Sequence, residues 1–133
     1  MSNFKKVQDY LVQLNLVADQ VDTAEELVII NDPDSGLVNL IIDCEDPILV
    51  IEQLILTLDT PGPDAFRTLL KLNRELLHGA YCLDETGQKV IYRDTLQLET
   101  LDLNELEASI DSLRLALAEH AGTLLDLVKG NAR

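Results

Sequence analysis

Residues 48–63 read Ile48-Leu-Val-Ile-Glu-Gln-Leu-Ile-Leu-Thr-Leu-Asp-Thr-Pro-Gly-Pro63. From Pro47 to Leu58 the stretch is β-rich and apolar at both parities around Glu52 and Gln53, which predicts a long strand. A strand apolar on both sides is either central and covered twice, or keeps one face for a partner. Thr60-Pro-Gly-Pro63 stops it and launches a helix, with Gly62 near the cap and Pro63 in the first turn. That helix is expected from about Asp64 to Leu77, ending before Gly79.

Working outward, Glu26–Ile30 and Leu37–Asp43 read as strands around the turn formers Asn31-Asp-Pro-Asp-Ser-Gly36. Ahead of them Phe4, Val7, Leu11 and Leu14 recur at helical steps behind Ser2, a capping residue. Downstream, Gly79–Leu83 and Gln88–Arg93 form a hairpin around Asp84-Glu-Thr-Gly87, and Thr95–Glu99 continues extended. Asp102-Leu-Asn-Glu105 resembles a capping box that opens a helix to roughly Val128. The expected order is α-βββ-α-βββ-α in one α+β domain over residues 1–133, with no repeat or linker dividing it.

Composition narrows the function. The chain of 133 residues has a formal net charge of −14 and 47% hydrophobic residues. That hydrophobic content is enough for a packed core despite the charge. Between Val7 and Phe66 there is no lysine or arginine, while Asp and Glu are plentiful. Such a surface repels nucleic acid and anionic lipid and attracts basic protein segments. No apolar run is long enough for a membrane span, and no signal-peptide core follows the first residues. Cys44 and Cys82 fit neither a zinc site nor a redox pair, so they read as buried thiols of a cytoplasmic protein.

Both later helices carry information on a 100° wheel. Ala65, Leu69, Leu72 and Leu76 form one stripe, and Phe66, Leu70 and Leu77 an adjacent one. Together they are wider than one core contact requires. The excess flank faces either a loop of the same chain or a second subunit. Asn73 lies inside this arc and needs a fixed hydrogen-bond partner, a neighbouring strand or a ligand. Arg67, Lys71 and Arg74 make a basic stripe on the opposite face, which reads as a solvated or ion-paired surface. The last helix has a seam of Leu103, Leu106, Ile110, Leu113, Leu117, Ala121, Leu124 and Val128. Gly122 interrupts it, so the part from His120 onward is expected to fray or move.

Candidate chemistry is sparse. His78 and His120 are expected near helix C-termini, where the dipole accounts for them. Asp32, Asp34, Gly36 and Asp43 fall short of a calcium loop in glycine position and final ligand, so a hairpin turn explains them better. Asp43, Glu45 and Asp46 form an acidic knot at a strand end, either a solvated turn or a landing point for basic residues. No catalytic constellation, phosphate loop or metal motif is present, and the expectation is a non-enzymatic protein without cofactor or metal.

The run Phe66-Arg-Thr-Leu-Leu-Lys-Leu-Asn-Arg-Glu-Leu-Leu-His-Gly79, then Ala80-Tyr-Cys-Leu-Asp84, resembles the YbjN-like and Tir-chaperone group. So does the later strand Tyr92-Arg-Asp-Thr-Leu96. This group shares the type III secretion chaperone-like fold. The resemblance implies helices against a twisted antiparallel sheet, a homodimer, and a client segment held on apolar surface, often as an added strand at a sheet edge. In this reading Ile48, Val50, Leu54, Leu56, Phe66, Leu70 and Leu77 supply the partner or dimer surface. The alternative is a regulatory domain that binds a small ligand beneath the middle helix, anchored by Asn73.

Overall fold

The structure, a computed structural model, describes residues 2–130. Met1 and residues 131–133 of the expected domain lie outside the described residues. Helix α1 (Asn3–Gln13) starts where Ser2 Oγ accepts a hydrogen bond from the Lys5 N–H at 3.1 Å. Strands β1 (Ala18–Asp22), β2 (Leu27–Asp32), β3 (Leu37–Glu45) and β4 (Ile48–Thr57) follow, with a 3-10 turn at Pro33–Ser35 between β2 and β3. Helix α2 (Pro63–Asn73), strands β5 (Ala80–Leu83) and β6 (Lys89–Gln97), and helix α3 (Leu103–Val128) complete the chain. Asp102 and Glu105 form the expected capping box at the start of α3.

The six strands make one sheet in the order β1-β2-β3-β4-β6-β5, antiparallel throughout. The α+β antiparallel architecture is as expected, but the strands divide four and two, α-ββββ-α-ββ-α. Strand β1 has too few apolar residues to announce itself. It exists because its backbone pairs with β2, Ala18 opposite Ile30 and Val21 opposite Val28. Thr95–Glu99 is no separate strand: β6 runs unbroken, pairing Val90 with Leu56 at one end and Leu96 with Leu49 at the other.

The helices share one face of the sheet. Phe4, Val7 and Leu11 of α1 and Leu106, Ile110 and Leu113 of α3 pack on Val28, Ile30, Leu40, Ile42, Leu49, Ile51 and Tyr92. A second cluster joins Ala65, Leu69 and Leu72 of α2 to Tyr81, Val90 and the Ala116, Leu124 and Leu127 end of α3. Each fully buried leucine or isoleucine contributes about 1.5–3 kcal/mol. Gln53 is buried among them because its amide donates to the Gly36 carbonyl (2.9 Å) and accepts from the Val38 N–H (3.1 Å), fastening the start of β3 to β4.

Two helix expectations need correction. Helix α2 ends at Asn73, not Leu77. Beyond Lys71 the backbone tightens into bonds three residues apart, Arg74 N–H to Lys71 and Glu75 N–H to Leu72. The segment is then pinned to α3, where the Ser112 hydroxyl donates to the His78 carbonyl at 2.8 Å and accepts the His78 N–H at 3.0 Å. The C-terminal half of α3 does not fray at Gly122. It remains helical to Val128, with Leu124 and Leu127 buried.

Candidate functional site

A one-residue bulge at Ile55 determines which side of β4 each apolar residue serves. Leu54 pairs with Ile91, and the next pair is Leu56 with Val90. Leu49, Ile51 and Gln53 therefore face the helices, while Ile48, Val50, Glu52 and Leu54 face away from them. After the bulge Leu56 turns inward and packs in the second cluster. Of the expected partner residues, Ile48, Val50 and Leu54 thus share the outward sheet face, and Leu56 does not join them. Strand β4 is central, with one face covered and one open.

Phe66 and Leu70 lie elsewhere, on the flank of α2 beside the edge strand β5, and Leu77 follows in the segment after α2 has ended. Phe66 is half-buried, whereas Leu70 and Leu77 are 69% and 73% exposed. Phe66, Leu69, Leu70, Tyr81, Cys82 and Leu83 line an apolar cleft of about 150 Å³ here. Asn73 accounts for itself inside the fold: its carbonyl accepts the Tyr81 N–H at 2.7 Å and its amide donates to the Tyr81 carbonyl at 3.2 Å. It ties α2 to β5, and no ligand contact is needed to explain it. In the basic stripe, Arg67 pairs with Asp64 at 2.9 Å, and Lys71 and Arg74 are exposed.

A further apolar surface escaped the sequence. Between α1 and the other edge strand, β1, runs a groove of about 480 Å³. Leu11, Val12, Leu16, Val17, Ala18 and Val28 line it. Val12 and Val17 are 71% and 78% exposed. The signal available was the pair Val12 and Val17, apolar residues off the helical stripe. Only the neighbouring free strand edge gives them meaning.

His120 was expected near a helix end, but it is buried within α3. The Tyr81 hydroxyl is hydrogen-bonded to His120 Nδ1 at 2.9 Å, and burial holds the phenol up at about 12. His120 Nε2 is 3.3 Å from a Glu75 carboxylate oxygen, though off the line of a hydrogen bond. This contact joins β5, α3 and the tail of α2. The two cysteines are free and partly buried, and burial pushes the Cys44 thiol up to about 11. Asp32 accepts from the Ser35 hydroxyl at 2.8 Å and pairs with Arg114 at 3.4 Å, which occupies it in a closed hairpin turn.

Asp43 sits on the outward face of β3. Loss of hydration, then the Glu45 carboxyl beside it, and the charges of Glu25 and Glu52 push its carboxyl from 3.8 to about 6. Its Oδ1 is buried with no hydrogen-bond partner. The folded-state value lies above the unfolded one, so protonation favours the folded chain. That contribution is full below about pH 3.8 and is lost as pH rises through about 6. Asp43→Asn is therefore expected to stabilise the protein at pH 7.5 by on the order of 1 kcal/mol, after discounting for solvent screening. In paired urea titrations the advantage should vanish by about pH 4, where the wild-type carboxyl is neutral. An Asn variant no more stable than wild type at pH 7.5 would contradict this account.

Among the described residues no helix is long and apolar enough to cross a membrane. None of the curated proteins matches the chain. Solved structures do match its fold. YbjN from E. coli is 14% identical over 90% of this chain and 91% of its own, with a TM-score of 0.63. A chain of the HopA1–SchA chaperone–effector complex is 18% identical over 97% of each chain, with a TM-score of 0.61. A chain of the ExsC–ExsE complex is 19% identical over 87% of this chain and 92% of its own, with a TM-score of 0.51. These likenesses establish the type III secretion chaperone-like fold. The CesT_Tir_1 family model matches residues 1–130, and the chain belongs to that family.

Proposed function

We propose that the protein is a non-enzymatic, chaperone-type binding module that holds an extended segment of a client protein in the groove between α1 and β1. The observation that carries this reading is the coincidence of an apolar groove with a free sheet edge. An unpaired strand offers backbone donors and acceptors to an incoming strand, and the groove receives alternate apolar side chains. Strand β5 ends the sheet on the other side, and the Phe66, Leu70 and Leu77 flank beside it is the homodimer contact in this reading. Two free cysteines suit a reducing compartment, the cytoplasm.

Selection of extended peptides from a displayed random library tests the groove. Enriched peptides are expected to carry apolar residues at alternate positions. Val17→Asp should weaken them at least about tenfold, because it places a charge where an apolar side chain docks. Failure to enrich any such pattern, or equal binding by the Val17→Asp variant, would remove the groove from the function.

A further inference from the structure

The outward face of the sheet sets aliphatic residues among charged ones, where a solvated face would be mostly polar. Cross-strand pairing sets its residues in rows. One row runs Ile29, Ile41, Glu52, Arg93 across β2, β3, β4 and β6. The next runs Leu27, Asp43, Val50, Thr95. Leu54 and Ile91 extend the patch at a third level. None of the apolar members belongs to either core cluster, so the face is open. At its centre stands Asp43, with an unpartnered Oδ1 and the Glu45, Glu25 and Glu52 carboxylates around it. The single base on these rows, Arg93, is already paired with Glu52.

That charge arrangement decides what can cover the face. A second copy in a twofold contact would set the Asp43, Glu45 and Glu25 cluster against itself, with no free cation between them. Nucleic acid and anionic lipid are repelled for the same reason. We propose that the outward sheet face is a second docking surface, distinct from the α1–β1 groove, for a partner-protein segment carrying a lysine or arginine flanked by aliphatic side chains. The cation satisfies the stranded Asp43 oxygen with a charge-assisted hydrogen bond, and the aliphatic neighbours cover Ile41, Val50 and Ile91. The crowding that raises the Asp43 carboxyl is relieved in the same step.

The probe is a synthetic peptide of alternating lysine and leucine, titrated into methyl-labelled protein and followed by NMR. Peptides of alternating lysine and serine, and of glutamate and leucine, serve as controls. The expected result is movement of the Ile41, Val50, Leu54 and Ile91 methyl signals, retained in the Val17→Asp variant. Asp43→Asn should weaken binding about tenfold or more, the worth of one charged hydrogen bond. Ile41→Thr, a β-branched change at a partly exposed position, should also weaken it while keeping the strand. Equal binding of the lysine–serine peptide, with shifts spread over the whole acidic surface, would mean unspecific charge attraction and overturn the proposal. So would shifts confined to the α1–β1 groove and lost in Val17→Asp, an outcome that upholds the groove while removing the sheet face.

Discussion

Gly79→Ala is expected to destabilise the protein by about 3 kcal/mol or more, the sum of a strained backbone and a clash in the core. Gly79 has a φ of +73°, in the left-handed region that side chains resist. A Cβ there would stand 2.6 Å from the Tyr92 hydroxyl and ring. Tyr92 has no room to retreat. Its ring is fully buried, and its hydroxyl is 2.9 Å from the Ser109 carbonyl and 3.3 Å from that of His78. Gly87 separates the two causes, since it has a φ of +74° with nothing within 4 Å of its notional Cβ. Gly87→Ala should therefore show the backbone cost alone, about 1–2 kcal/mol. Urea unfolding of both variants checks the claim, and equal losses would refute the close approach to Tyr92.

In the homodimer proposed above, Leu70→Asp is expected to release monomers, at least about a hundredfold weaker in association, because a carboxylate would be stripped of water inside an apolar contact. Leu70 and Leu77 are among the most exposed large apolar residues, and Leu70 stands beside the edge strand β5. Analytical ultracentrifugation across a dilution series would show half the mass for the variant. Circular dichroism should remain unchanged, since Leu70 contributes little to the core. An unchanged mass would exclude this flank as the contact. It would leave the proposed client groove untouched, because β1 is at the opposite end of the sheet from β5.

These two sites differ in how far the sequence disclosed them. Leu70 and Leu77 stood out on the helical wheel, since a flank too wide for one contact is a local pattern. The neighbourhood of Gly79 and Tyr92 did not. The glycine read only as a helix terminator, and nothing local connects it to a tyrosine on β6. His120 shows the same limit. The expected seam placed Ala121 and Val128 inward, whereas both are exposed and the structure buries Ala116, His120 and Leu127. A polar residue is tolerated there because Tyr81, far away in sequence, supplies its hydrogen bond.

What the sequence determined by itself was local: helices with capping residues, hairpins at turn formers, an antiparallel α+β order, and the family resemblance carried by the run through Gly79. What only the tertiary structure decided depends on which distant backbones pair. Strand β1 is a strand because β2 accepts it, and Leu56 turns inward because of a bulge against β6. The groove exists because an edge strand comes to rest beside α1, and the Asp43 carboxyl is pushed up because the fold strips its hydration and crowds it with Glu45, Glu25 and Glu52. Periodicity records the side a residue prefers within its own element. Pairing register and proximity are properties of two elements at once, so they are settled only when the chain has folded.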